Sequence, residues 1–200
     1  MKPLFDHFSI IAPIYERFIH PQDPTKLRSL IPDILNGVLL DAGGGTGRVS
    51  QFLHDKAAHI IVADGSLEML RKAIIKDGIQ PVLSRTEGLP FQNDTFDCII
   101  MVDALHHVDN QSDTAFELWR VLKPGGRLII EEPNIHFTNI KLLALAEKLA
   151  LMQSHFLTPE KISQLFDLDG SNVSIEYEDQ LAWICIEKKH IQLLFDLRNS

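Results

Sequence analysis

The stretch that decides the fold is VLLDAGGGTGR, residues 38–48, in which an apolar run ends at an acid and opens into four glycines. Glycines let a turn pass close to a ligand, and the helix expected at about 46–57 would offer free N–H groups at its start. The spacing does not fit the dinucleotide pattern G-x-G-x-x-G, because Arg48 or Ser50 stands where the third glycine is required. No Gly-Lys-Ser/Thr follows, as a P-loop would need. The pattern that fits is acid-x-G-x-G-x-G, from Asp41 to Gly47 without a gap.

Short apolar runs alternate with helix-like segments on both sides of this stretch. The runs lie at 38–41, 59–63, 81–83, 96–102 and 127–130. Runs that are apolar throughout are typical of strands buried on both faces, and helices are expected between them at about 46–57, 66–77 and 111–122. This alternation predicts an α/β fold, a doubly wound Rossmann-like and mostly parallel sheet between two layers of helices. The runs 173–177 and 181–186 predict an antiparallel hairpin at the sheet edge.

The rest of the chain divides into smaller parts. Aromatic and apolar residues at steps of three and four, interrupted at Pro13, predict short helices before the sheet, the last at about 26–35. Thr158-Pro159-Glu160 predicts a helix start, with Thr158 as the N-cap. The expected parts are an N-terminal helical lid at 1–36, an α/β domain at 37–188 with a helical insertion at 134–156, and a C-terminal tail at 189–200.

Composition limits the classes of protein that this chain can represent. Hydrophobic residues make up 45% and charged residues 23%, which is the balance of a globular protein. The 27 acids outnumber the 19 Lys and Arg, for a net charge of −8, which disfavours a protein that coats nucleic acid. Cys98 and Cys185 lie in apolar runs without zinc-ligand spacing, so buried thiols are expected. With no signal peptide and no spanning segment apparent, a cytoplasmic protein without integral membrane association is expected.

The motif from Asp41 to Gly47 resembles motif I of the class I S-adenosylmethionine-dependent methyltransferases. Three further segments resemble the family in the same order, namely ADGSLEML at 63–70, EGLPF with DTFD at 87–97, and VLKPGGRL at 121–128. A Phe-Asp and Ala…Tyr echo within residues 5–15 is similar to the ubiquinone/menaquinone C-methyltransferase-like (methyltransferase type 11) group. The resemblance implies methyl transfer from S-adenosyl-L-methionine to a small, apolar or aromatic acceptor by direct displacement at the methyl carbon. S-adenosyl-L-homocysteine would be the product.

The resemblance also implies a cofactor site along the carboxyl ends of the strands. Asp41 would orient the glycine loop and approach the methionine ammonium, or bond only to loop amides. Asp64, about 20 residues after the first glycine, would accept the ribose hydroxyls. Gly65 and Met69 would border the adenine, with Met69 as a pure core residue left open. The full predicted set is Asp41, Ala42, Gly43, Gly44, Gly45, Gly47, Asp64, Gly65, Ser66, Met69, Arg85, Thr86, Glu87, Asp103, Ala104 and His107.

One segment departs from the family pattern. Family members commonly carry an Asp that accepts from the adenine amino group, where this chain has Arg85 and Thr86. Arginine cannot accept a hydrogen bond. The expected acceptor is therefore a backbone carbonyl near Arg85 or the Thr86 hydroxyl.

Candidate catalytic residues follow the fourth strand, where the sequence reads Asp103-Ala104-Leu105-His106-His107. Ligands of open α/β sheets bind at the carboxyl ends of strands, so this loop is expected to face cofactor and acceptor. His106 or His107, near Asp103, would accept a proton; alternatively, one ring bonds local backbone and the other packs on the cofactor. No metal is expected, because a third ligand at suitable spacing is missing. Glu131 and Glu132 would face the cleft or be solvated loop acids.

Two other functions are weighed against methyl transfer. The first is a non-catalytic protein that binds S-adenosylmethionine or S-adenosylhomocysteine. The second is a dinucleotide-dependent oxidoreductase, which the glycine spacing disfavours. No Asp/Asn-Pro-Pro-Tyr/Phe segment follows the fourth strand, which disfavours methylation of nucleobase amino groups and supports a small-molecule acceptor. The chain is expected to be a monomer or a homodimer.

Overall fold

One seven-stranded sheet organises the part of the chain that the computed structural model describes, residues 24–138, 140–141 and 154–190. The strands are β1 Ile34–Ala42, β2 Ala57–Asp64, β3 Ile79–Leu83, β4 Phe96–Val102, β5 Leu122–Pro133, β6 Ser171–Glu178 and β7 Leu181–Lys188. Their order is β3-β2-β1-β4-β5-β7-β6. Neighbours from β3 to β5 run parallel, whereas β7 is antiparallel to both β5 and β6. The predicted α/β sheet, mostly parallel with an antiparallel edge hairpin, is confirmed.

Four α-helices and two 3₁₀ turns connect these strands within the described residues. The helices are α1 Thr25–Leu30, α2 Leu67–Ala73, α3 Gln111–Val121 and α4 Pro159–Gln164, and the 3₁₀ turns are Ser50–Phe52 and Leu105–His107. The predicted start of α4 is confirmed, since the Thr158 side chain accepts from the amide of Lys161 and Pro159 is the first helical residue. Residues 138 and 140–141 are also helical.

Two helix predictions at the start of the domain are wrong. The helix expected at 46–57 is only a 3₁₀ turn at Ser50–Phe52, where the Ser50 hydroxyl donates to Asp41. The helix expected at 26–35 ends at Leu30. Its cap residue Ile31 is extended, with ψ of 124°, as expected of a residue that precedes a proline. Strand β1 therefore begins before the glycine at which the sequence pattern placed it.

The sheet is buried on both faces, as the apolar runs predict. Side chains alternate between the faces, so Leu40, Ile99 and Ile130 pack in one core, while Leu39, Ile100 and Ile129 pack in the other. Cys98 and Cys185 are buried free thiols, as expected. Among the described residues, no helix combines the length and apolar character needed to cross a bilayer.

Several predictions fall on residues outside the described ranges. These are most of the N-terminal lid, at 1–23, the greater part of the helical insertion, at 139 and 142–153, and the tail at 191–200. The division of the chain into lid, domain, insertion and tail therefore stays a prediction.

Candidate cofactor and acceptor site

The parallel strands bring most of the predicted site residues to one edge of the sheet. In register, Ala42 lies beside Ala63, Asp64 beside Leu83, and Val102 beside Glu131. The carboxyl ends of β1 to β5 therefore share an edge, which is where open α/β sheets bind ligands. Segments separated by up to ninety residues of sequence meet there because the strands between them are parallel.

The glycine loop departs from β1 in a conformation that requires glycine. Gly43, Gly45 and Gly47 have φ of 71°, 55° and 69°, in the left-handed region that side chains disfavour. Gly44 is required for a different reason, because a Cβ there would lie 2.3–2.7 Å from the carboxylate atoms of Asp41. The loop thus folds directly over the acid that precedes it.

Asp41 lies beneath this loop with 1% of its surface exposed. Its Oδ2 accepts from the Ser50 hydroxyl at 2.6 Å. Burial raises the pKa of Asp41 to about 6, against the opposing influences of Ser50 and Arg48. The two roles predicted for this acid both remain predictions, but its observed contacts are with the loop.

Asp64 joins the glycine loop to α2. Its Oδ2 accepts from the amide of Gly45 at 2.9 Å, and its Oδ1 accepts from the amide of Ser66 at 2.7 Å. Ser66 precedes the helix as expected, although its side chain makes no capping hydrogen bond. Met69, in the first turns, is only 3% exposed. The half-buried Asp64 carboxylate is therefore fixed at the end of β2, next to the loop.

The segment after β3 is held at the carboxyl edge of the sheet by hydrogen bonds and ion pairs. The amide of Ser84 donates to the carbonyl of Asp64 at 3.0 Å. Arg85 pairs with Glu87 and Asp109, and these hydrogen bonds raise the pKa of its guanidinium. Glu87 also accepts from the amides of Asp109 and Asn110 at 3.0 and 3.2 Å. The predicted residues Arg85 and Glu87 thus connect this segment to the start of α3.

The Thr86 side chain is bonded inside the protein. Thr86 is 6% exposed, and its hydroxyl lies 3.0 Å from that of Thr114. The carbonyl of Arg85 accepts from the Ser84 hydroxyl at 2.9 Å and from the amide of Gly88 at 3.3 Å. The Thr86 hydroxyl and the Arg85 carbonyl thus already have hydrogen-bond partners inside the protein, and the acceptor for the adenine amino group stays a prediction.

The loop after β4 begins with a strained residue. Asp103 has φ of 53°, which is rare for a residue with a side chain. Its carboxylate lies 3.7 Å from the guanidinium of Arg48 and 4.0 Å from Nε2 of His106. Its amide donates to the carbonyl of Glu131 at 2.9 Å. Asp103 is therefore held between the glycine loop and the end of β5.

His106 is buried against Glu132. Its Nδ1 lies 2.6 Å from Oε2 of Glu132, and its ring stacks on Phe156 at 4.2 Å between centroids. Oε1 of the same glutamate accepts from the amides of Ala104 and Leu105 at 3.1 and 2.7 Å. This carboxylate therefore organises the loop after β4.

His107 lies beside this pair, with its ring 4.0 Å from that of His106. The Ser154 hydroxyl lies 3.3 Å from its Nδ1. Burial, reinforced by the neighbouring His106, lowers the pKa of His107 to about 3. The ring is neutral at physiological pH and is a weak proton acceptor.

Comparison with known proteins agrees with this geometry. Residues 40–130 match the protein family described as "Methyltransferase domain". The cofactor that this family and fold imply is S-adenosyl-L-methionine.

Two curated relatives of this segment carry more specific names. The ubiquinone/menaquinone biosynthesis C-methyltransferase UbiE of Methylococcus capsulatus is 35% identical over 104 residues, 47% of this chain and 42% of that protein. The demethylmenaquinone methyltransferase of Clavibacter sepedonicus is 38% identical over 98 residues, 47% of this chain and 40% of that protein. The match thus spans about two fifths of the length of these relatives.

A solved structure extends the likeness of fold beyond residues 40–130. The S-adenosylmethionine-dependent methyltransferase from Thermotoga maritima superposes with a TM-score of 0.75 at 23% identity. It covers 91% of this chain and 98% of its own. The likeness shows the fold, including the segments on both sides of residues 40–130.

The residues at the carboxyl edge of the sheet fit this cofactor. A Cβ on Gly45 would meet only Asp64 Oδ2, at 3.9 Å, and a Cβ on Gly65 would meet nothing within 4 Å. Open space therefore lies above the loop and beside the acid, where the ribose would lie. A carboxylate can accept about four hydrogen bonds, so the two amides that Asp64 holds are compatible with a diol. The buried hydroxyl of Thr46 also lacks a partner among the described residues.

The positions of two acids at the end of β5 contradict one of the two alternatives predicted for them. Glu131 and Glu132 are 4% and 3% exposed, so the alternative that they are solvated loop acids is wrong. Glu132 bonds into the loop after β4, a contact that sequence spacing cannot reveal. Arg48 was also missed as a site residue, although its position directly after the last glycine was a usable signal. No group of metal-ligating side chains suited to an ion occurs in the described ranges.

A separate cavity of about 590 Å³ lies beyond the loop after β4, between the start of α3 and α4. Its lining includes Asn110, Gln111, His155 and Lys161. It contains none of the residues predicted to bind the cofactor. The cavity is therefore adjacent to the predicted cofactor site and distinct from it.

Proposed function

We propose that this chain transfers the methyl group of S-adenosylmethionine to a small aromatic acceptor of the hydroquinone type, by direct displacement at the methyl carbon. The observation that carries the cofactor assignment is the bond between the Gly45 amide and Asp64 Oδ2, which joins the glycine loop to the acid. The names of the two curated relatives, both quinone C-methyltransferases, support the acceptor class.

Within this proposal the residues at the edge have separate tasks. Asp64 accepts from the ribose hydroxyls, and the amides and small residues of the glycine loop surround the methionine arm. His106 positions the loop after β4 rather than accepting a proton, because both of its ring nitrogens face carboxylates, Nδ1 that of Glu132 at 2.6 Å and Nε2 that of Asp103 at 4.0 Å. The bound cofactor supplies an electrophilic methyl carbon, and the protein contributes orientation and exclusion of water.

Calorimetric titration tests the cofactor, and a transfer assay tests the reaction. We expect one site for S-adenosylmethionine and for S-adenosylhomocysteine, and no site of similar strength for NAD. With labelled cofactor, we expect transfer to 1,4-naphthalenediol or to catechol, two phenolic acceptors with free ring carbons. Binding of NAD alone would contradict the proposal. Cofactor binding without transfer to either phenol would favour the non-catalytic binding protein instead.

Replacing Asp64 tests the ribose contact. We expect Asp64→Asn to weaken S-adenosylhomocysteine binding at least about tenfold, because a charge-assisted hydrogen bond contributes about 1.5–3 kcal/mol. The measurement is calorimetry, with thermal unfolding to verify folding. Asp169→Asn, which removes the same charge from an exposed loop, is the control and should bind normally.

A ligand analogue separates ribose recognition from loop support. The wild type should bind 2′-deoxy S-adenosylhomocysteine more weakly than the parent compound, whereas Asp64→Asn should bind the two almost equally. Equal discrimination by both proteins would mean that Asp64 supports the loop without touching the diol.

A further inference from the structure

Glu131 is a buried acid at the carboxyl edge of the sheet, where the candidate site lies. The proposed function gives this acid no role. It lies near the end of β5, in register with Val102 of β4 and with Trp183 of β7. Its side chain is 4% exposed, and its carboxylate makes no hydrogen bond to any described residue. The adjacent Glu132 makes three such bonds. Since an unpaired buried carboxylate costs stability, its presence here points to a functional role.

The charged groups around Glu131 shift its pKa in opposite directions. Burial raises the pKa of Glu131 to about 7, and the neighbouring Asp103 acts in the same direction. Arg48, from the glycine loop, opposes this shift, while Glu132 and Glu178 add to it. Among the described residues, these charged groups belong to the glycine loop, to the loop after β4, and to strands β5 and β6. Glu131 therefore exchanges a proton near neutral pH.

The two histidines are less suited to accept a proton from substrate. Both ring nitrogens of His106 face carboxylates, those of Glu132 and Asp103, and its ring is stacked on Phe156. His107 has its pKa lowered to about 3, so its basicity is weak. A general base works best when its pKa lies near the working pH. By its position at the end of β5, and on this criterion, Glu131 is better suited than His107 to accept a proton.

We propose that Glu131 is the general base that deprotonates the acceptor hydroxyl, an inference that rests on the proposed function. The hydroxyl O–H bond breaks and its proton passes to a carboxylate oxygen of Glu131. The freed electron pair, acting through the aromatic ring, forms a bond from a ring carbon to the methyl carbon. The bond from that methyl to sulfur breaks, and its electrons remain on sulfur. The ring hydrogen then moves to the oxygen, and Glu131 releases its proton to water.

A pH profile of turnover tests this assignment, with 1,4-naphthalenediol as the acceptor. For the wild type, kcat should rise with pH through about 7, as Glu131 loses its proton. Glu131→Gln should lower kcat by about 10²–10⁴-fold and remove this rise, while the affinity for S-adenosylhomocysteine stays unchanged. Glu131→Asp should restore part of the turnover. Asp169→Asn removes an exposed carboxylate that is not among the groups acting on Glu131, and it should keep the wild-type profile.

A second measurement tests the protonation of Glu131 independently of turnover. Carbon-13 NMR of side-chain carboxyl groups, in protein without cofactor, should show one resonance titrating near pH 7 that Glu131→Gln removes. A Glu131→Gln variant that keeps kcat, or His107→Ala removing the pH step instead, would overturn the assignment while leaving the proposed function intact. Failure of the wild type to methylate either phenol would overturn the proposed function, and the base with it.

Discussion

Gly44→Ala is expected to weaken S-adenosylmethionine binding by at least about a hundredfold, or ~2.7 kcal/mol. The new Cβ would lie 2.3–2.7 Å from the carboxylate of Asp41, far inside the contact distance of about 3.5 Å. Asp41 cannot retreat easily, because it is 1% exposed and bonded to Ser50. The loop must shift instead, which we expect to lower the free energy of unfolding by about 3 kcal/mol. Calorimetry and urea denaturation measure the two effects.

Matched variants separate this clash from a general intolerance of alanine. Gly88→Ala is the control, since its Cβ would meet nothing within 4 Å and the residue has no positive φ. Removing the carboxylate with Asp41→Ala should relieve the clash, so the double variant should be more stable than the sum of the single effects by about 1–3 kcal/mol. Wild-type binding and stability in Gly44→Ala would refute the account of the loop.

Glu132→Ala is expected to lower the free energy of unfolding by about 4 kcal/mol. The substitution leaves the amides of Ala104 and Leu105 and one ring nitrogen of His106 buried without an acceptor. Each unsatisfied buried group costs about 1–3 kcal/mol. Urea denaturation measures the loss.

Two further variants define the cause of that loss. Glu132→Gln keeps one carbonyl oxygen for the two amides, so a smaller loss of about 1–2 kcal/mol is expected. Glu178→Ala removes an exposed acid and should change stability by no more than about 0.5 kcal/mol. If Glu132→Ala costs less than Glu132→Gln, the carboxylate does not support the loop, and His106 would be available as a base.

The positions of individual charged groups were less predictable than the strands. Asp64 was identified as a site residue because its place at the end of an apolar run is a local signal. The pairing of Arg48 with Asp103 is not local, because those residues lie on different strand connections. The same holds for Thr86 and Thr114, whose hydroxyls meet across the start of α3. Sequence spacing gives the end of each strand but not the direction of a side chain beyond it.

Sequence alone was enough to predict the order of strands along the chain and the parallel sheet with its edge hairpin, and it placed the glycine loop and Asp64 at the ends of two strands. Period and composition are local properties, and a buried strand or a glycine turn shows them within a few residues. Only the tertiary structure decided that Gly44 is required by contact with Asp41, that Glu132 holds His106, and that Glu131 is largely buried with no hydrogen bond from its carboxylate to another described residue. These facts depend on which strands lie side by side, because burial and proximity across the sheet set both steric limits and protonation.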